Sequence, residues 1–339
     1  MSDKQVPRLI VLLFLVLFCA PLSAQSVLRL ATVAPDGSFW MREMRAGAEE
    51  VARRTEGRVR IQYFPGGVMG NEQAVLRRIR IGQLQGGAFT GGGLTAAWPQ
   101  ASLYSLPFLF RSHEEVDYVR TRMDARLERG LAAAGFVSLG IAEGGFARLM
   151  SGVPVTSVRD LRGQKVWVPE GDPVAYAAME ALGLAPVTLP LTDVLTGLQT
   201  GLINIVASPP IGAVAFQWHT RVAFMTDAPL AYTWAQLVID RRAFERLRED
   251  DRAALSEVMR DVYRKLDRQN RADNLQATGA MVRQGIQVVT PDDVELREWQ
   301  AIGDRVTRTL IERGTYDAAL YQELRLHLDT FRAAPAHDE

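Results

Sequence analysis

The chain has 339 residues, 47% of them apolar, and its Lys plus Arg and Asp plus Glu counts are equal at 39 each. Balanced charge leaves no net field for nucleic acid or an anionic membrane, which excludes partners held by charge alone. At about 315 residues beyond a leader, the chain is near the size at which one core stops growing, so two domains are expected.

Lys4 and Arg8 precede an apolar run from Leu9 to Ala20, followed by Pro21 and the small pair Ser23 and Ala24. That order is the layout of a cleavable secretory leader. The run of about a dozen residues falls short of the ~20 that a membrane-crossing helix needs. Residues 1–24 are therefore expected to be removed on export. Cys19, the sole cysteine, lies in this leader behind Phe18, which is too bulky for lipoprotein processing. The mature chain is expected to carry no thiol and to build its core without disulfides. No later segment is long and apolar enough to span a membrane.

Beyond the leader, strand and helix patterns alternate. Leu28, Leu30 and Thr32 form a short strand, and Asp36 to Ser38 supplies turn and helix-capping chemistry. A helix then carries Trp40, Met44, Ala48 and Val51 on one stripe and stops at Gly57. Val59, Ile61 and Tyr63 alternate as a strand, residues 75–82 read as a helix, and residues 86–90 as a small-residue strand running into Gly91, Gly92 and Gly93. A second set begins at Lys165: strand 165–168, a helix opened by Asp172 and Pro173 and closed by Gly183, strand 187–189, a helix ending at Gly201, and strand 202–207. Repeated βα units predict parallel sheet in an α/β fold. From Glu249 to Gln284 a helical pattern runs without proline. At 1.5 Å per residue it would reach ~50 Å, enough to bridge two domains.

Catalytic chemistry is missing. His113, His219, His327 and His337 are scattered, with no pair at helical ligand spacing. There is no nucleophile elbow, no Walker loop, no calcium-binding string and no dinucleotide spacing in the 86–93 stretch. The expectation is a binding protein, not an enzyme, with no cofactor and no metal.

Two stretches make the pattern specific: EGRV, YFPGGVMGNEQAVLRRIRIGQL and LPFLFR within residues 56–111, and PVTSVRDLRGQKVWV with APVTLPLTDVLTGLQTG within residues 154–201. In order and spacing they resemble the DctP family, the solute-binding subunits of tripartite ATP-independent periplasmic (TRAP) transporters. The resemblance runs from Leu28 to about Gln284. It implies a two-lobed periplasmic binding protein fold, each lobe a mainly parallel sheet with flanking helices, and a long helix spanning both. Lobe I would hold residues 27–144 and 233–272, lobe II residues 145–232 and 273–325, and residues 326–339 would be a tail. A small-molecule ligand would lie in the cleft, and the closed complex would meet the small and large TRAP membrane subunits. An orphan carrier or sensory binding protein is the alternative.

The departures from the family pattern are informative. Where relatives carry an arginine that forks onto a ligand carboxylate, this chain has Trp167, and the acidic and amide positions after the Gln-Thr-Gly turn are replaced by Asn204 to Ser208. Arg148 is the nearest replacement cation, although a one-residue shift on a strand turns a side chain to the opposite face. Trp167 reads either as core packing or as a ligand contact in the arginine's place. Glu170 precedes a helix N-terminus, where backbone N–H groups can bind an anion. Phe39 is taken as the cleft residue and Trp40 as core. Glu72 is either a polar cleft residue or a first-turn helix charge, and Gly91 allows close backbone approach. Ser208 and Pro209 end a strand at the cleft, and Trp234 lies at the crossover between lobes. This inventory predicts a largely apolar or aromatic ligand.

Overall fold

The computed structural model describes residues 25–334. The leader, with Cys19, lies outside the described residues. The chain opens with β1 (Ser26–Thr32), α1 (Phe39–Arg54), β2 (Val59–Phe64), α2 (Glu72–Arg80) and β3 (Gly86–Thr90), three parallel strands in the order β2-β1-β3. Ser38 caps α1 through a bond from the Met41 N–H, and Asn71 caps α2 through one from Ala74, each satisfying a donor that a helix start leaves free. Then come α3 (His113–Ala133), the long strand β4 (Phe136–Ser151), β5 (Trp167–Pro169), α4 (Pro173–Leu182), β6 (Val187–Leu189), α5 (Val194–Thr200), β7 (Ile205–Ser208), α6 (Pro210–Ala215) and β8 (Phe224–Thr226). The chain ends with β9 (Ala231–Asp240), α7 (Arg241–Glu245), α8 (Glu249–Arg283), β10 (Gln287–Val289), α9 (Asp293–Glu312) and α10 (Ala318–Ala333).

The lobes share their longest strand, β4. In the first lobe β9 adds antiparallel to β3 and β4 antiparallel to β9. The last residues of β4 leave that sheet for the second lobe, where Arg148 to Ser151 pair with β7, and Met150 and Ser151 with β8. There β8 runs parallel to β10 and β5 parallel to β6, and one bridge from Val166 to Ile205 ties β5 to β7. Two register shifts in β4, at Ser138/Gly140 and Glu143/Gly145, bend it between the lobes. Gly145 sits there at φ +103°, backbone that residues with a side chain rarely adopt.

The 35-residue α8 spans the two lobes, as its unbroken pattern predicts. Leu255, Val258, Met259, Tyr263 and Leu266 pack in one core with Leu28, Leu30, Met41 and Met44 of the first lobe. Met281, near its other end, packs with Met150, Trp167 and Trp218 of the second. Between them, Asn270 and Asn274 donate to the Glu143 and Gly144 carbonyls of β4, so the helix is fastened where the strand bends.

The C-terminal segment departs from expectation. Residues 318–325 were expected in the second lobe and 326–339 in a tail; α10 runs to Ala333 and packs on α3, and 335–339 lie outside the described residues. Leu320, Leu324 and Leu328 form an apolar stripe that needs cover, and Val116, Val119 and Met123 supply it. Arg332 adds bonds to the Glu115 carboxylate at 2.7 and 2.9 Å.

Candidate functional site

The two lobes enclose a cavity of about 490 Å³, within the range of small-molecule pockets. It is walled by the C-terminal ends of β1, β3, β5 and β7, by the start of β9, and by α2, α4 and α9. Parallel strands place such a crevice at their carboxyl ends, because the loops there splay toward opposite helices. Among the described residues three carboxylates, Glu72, Glu170 and Asp172, reach the wall, and no Lys, Arg or His does. The remainder is mainly apolar, with five indoles: Trp40, Trp167, Trp218, Trp234 and Trp299.

Glu72 opens α2 from the first lobe. Its carboxylate accepts from the Thr90 N–H at 2.6 Å and the Thr90 hydroxyl at 3.0 Å. Burial pushes its pKa up to about 7; the Thr90 bonds oppose the shift and the nearby Asp172 charge adds to it. Asp172 faces it from the second lobe. It caps α4 by accepting from Val174 and Ala175 at 2.9 and 3.1 Å, and burial raises its pKa as well. Glu170 is exposed at the rim and accepts from the Asn71 side chain at 2.5 Å, a bond that crosses from one lobe to the other. The Thr95 hydroxyl donates to the Gly171 carbonyl at 3.1 Å on the same seam.

Trp167 reaches the wall but is only 5% exposed. Its ring N–H donates to the Leu189 carbonyl at 3.0 Å, and its ring meets Trp218 edge-on at 5.2 Å. It is at once core and wall, offering a ligand apolar surface and no free donor. Trp234 is 2% exposed, and its ring nitrogen has no hydrogen-bond partner. It faces Gly91, where an added Cβ would lie 2.8 Å from that nitrogen. Ser208 and Pro209 line the wall, with the Ser208 hydroxyl turned onto the Pro209 carbonyl at 2.9 Å.

Two expected contacts lie elsewhere. Ala147 and Leu149 line the cavity, so strand alternation turns Arg148 away, and Asp227 holds its guanidinium at 2.7 Å. Phe39 does not reach the cavity; it packs against the first-lobe core with Arg42 over its ring, and Trp40 takes the wall position. Trp40 donates to Asn270 Oδ1 at 3.1 Å. Sequence reasoning missed Asn270, which is 1% exposed. Its signal was present as an amide one turn beyond Leu266 on the apolar stripe of α8, a position that favours a polar residue only when it has partners.

Two lobes that share a crossing strand and close over an enclosed apolar cavity define a solute-binding protein of the two-lobed α/β class. The chain belongs to the DctP family, bacterial extracellular solute-binding protein family 7, whose pattern it matches over residues 30–313. This is a family of transport proteins, not enzymes. The 2,3-diketo-L-gulonate-binding periplasmic protein YiaO of Escherichia coli is 25% identical over 259 residues, 75% of this chain and 77% of its own length. The protein YiiZ of Salmonella typhimurium is 29% identical over a shorter stretch, 46% of this chain and 48% of its own. A TRAP periplasmic solute-binding protein of Xanthobacter autotrophicus, solved with β-D-galacturonate, superposes with a TM-score of 0.81 at 20% identity, covering 91% of this chain and 100% of that one. One from Chromohalobacter salexigens, solved with D-glucuronate, gives 0.82 at 20% identity over 88% and 99%.

Proposed function

We propose that this protein is the extracytoplasmic receptor of a TRAP-type uptake system, capturing a largely apolar or aromatic small molecule for the membrane subunits. The observation that carries the ligand class is the absence of any cationic side chain from the cavity wall, where three carboxylates stand. The ligands named for the three ligand-assigned relatives above are sugar acids. Burying such a carboxylate without a cationic partner is strongly unfavourable, and losing one partner of a buried charge pair costs about 2–5 kcal/mol, two to three and a half decades of affinity. Trp167, Trp234, Pro209 and Gly91 supply apolar contact, Glu72 and Ser208 orient the ligand, and Glu170 fastens the rim.

Native mass spectrometry of the gently purified chain, followed by calorimetry, tests the reading. We expect an apolar or aromatic molecule to bind and D-glucuronate, D-galacturonate and succinate not to. Submicromolar binding of any of the three acids overturns the ligand class.

A further inference from the structure

The run Gly91-Gly92-Gly93 is met by three polar groups in succession. Trp234 Nε1 faces Gly91, Asp172 Oδ2 faces Gly92, and the Glu72 carboxyl lies so close to Gly93 that an added Cβ would be 2.3 to 2.5 Å from its atoms. At Gly92 the same atom would lie 3.3 Å from Asp172 Oδ2. Two carboxylates from opposite lobes thus meet neighbouring residues of one helical turn, near enough for the Asp172 charge to act on Glu72. No structural ion pair accounts for them: both line the cavity, and no Lys, Arg or His does. The indole N–H of Trp234, almost fully buried against Gly91, is a donor without a hydrogen-bond partner on the same run.

Resting on the apolar-ligand reading above, we propose that the ligand carries a cationic amine, which seats between the Glu72 and Asp172 carboxylates against Gly92 and Gly93. A protonated amine offers three donors, enough to bond both carboxylates, and its charge reverses the repulsion between them. Burial raises the Glu72 pKa to about 7, and an ammonium beside it draws it back to the ionised form. The titratable groups of the wall are Glu72 from α2, and Asp172 and Glu170 from the segment that opens α4. The seat thus repels an acid that an arginine would have held.

Calorimetry on the mature chain at pH 7.5 with phenethylamine, 2-phenylethanol and 3-phenylpropionate separates the possibilities. We expect the amine to bind at least tenfold tighter than the alcohol, and the acid not to bind. Glu72→Gln and Asp172→Asn should each remove the amine's tenfold advantage over the alcohol; Asn keeps the helix cap. Between pH 5.5 and 8 the amine's affinity for the unaltered protein should rise about tenfold as Glu72 ionises, while the alcohol's stays flat, a readout needing no variant. Equal binding of amine and alcohol, or a flat pH profile for the amine, overturns the seat and leaves the apolar reading standing. Tightest binding by the acid overturns both. No binding of any probe at millimolar concentration overturns the seat, because the carboxylate pair should hold even a small ammonium ligand.

Discussion

Glu72 weakens the fold as pH rises. Its folded pKa is raised from 4.5 to about 7, so the stability it contributes is fully present below about pH 4.5 and is lost as pH climbs through 7. The loss is at most about 3 kcal/mol. Thermal melts of the unaltered chain and Glu72→Gln should differ little at pH 4.5 and diverge by pH 8, the variant melting higher. A constant difference would show that Glu72 does not titrate in this range. Arg148 makes the opposite case. Its pair with Asp227 is part-exposed, 29% and 45% by side chain, and such pairs contribute about 0 to 1 kcal/mol. Arg148→Ala should therefore leave ligand affinity within about twofold, as measured by calorimetry, and a tenfold loss would return Arg148 to the site. That outcome turns on alternation, since one position along β4 decides between facing the cavity and facing Asp227.

At the scale of elements, the bend in β4 is where the lobes meet. Gly145 combines its left-handed backbone with a close neighbour: an added Cβ would lie 2.5 Å from Asn274 Nδ2, the group bonded to the Gly144 carbonyl. Gly145→Ala should cost about 1–3 kcal/mol in chemical denaturation. Gly152→Ala, with nothing within 4 Å and no left-handed backbone, serves as the neutral control. Helices were the legible part of this fold. Asp172, Pro173 and Gly183 mark both ends of α4, and α8 begins at Glu249 as its pattern requires, because caps and a period of 3.6 are written locally. The 16-residue β4 was not legible: Gly140, Gly144, Gly145 and two bulges break its alternation, and its partners lie far along the chain. The cleft was half legible for a similar reason. Phe39 and Trp40 are both apolar residues at the start of α1, and nothing in their spacing says whether a neighbour is core or cavity. Only the arrival of α8, bringing Asn270 to Trp40, decides it.

For the whole molecule, the bonds from Asn71 to Glu170 and from Thr95 to Gly171 join the lobes across the cavity mouth, the arrangement of a closed receptor. Asn71→Ala should favour the open form in the absence of ligand, seen as a larger radius of gyration in small-angle scattering and a several-fold weaker affinity. Identical scattering from variant and unaltered protein, with and without ligand, would show that the lobes do not open at all. The crossings of β4 and α8 also set an order of assembly. Leu28 and Leu266 share one core, and Val116 shares another with Leu328. During synthesis at about 5–20 residues per second, the first strand waits roughly 10 to 50 seconds for its last partner to be made. Neither lobe is finished until almost the whole chain exists, so no single cut divides this protein into two pieces that each fold.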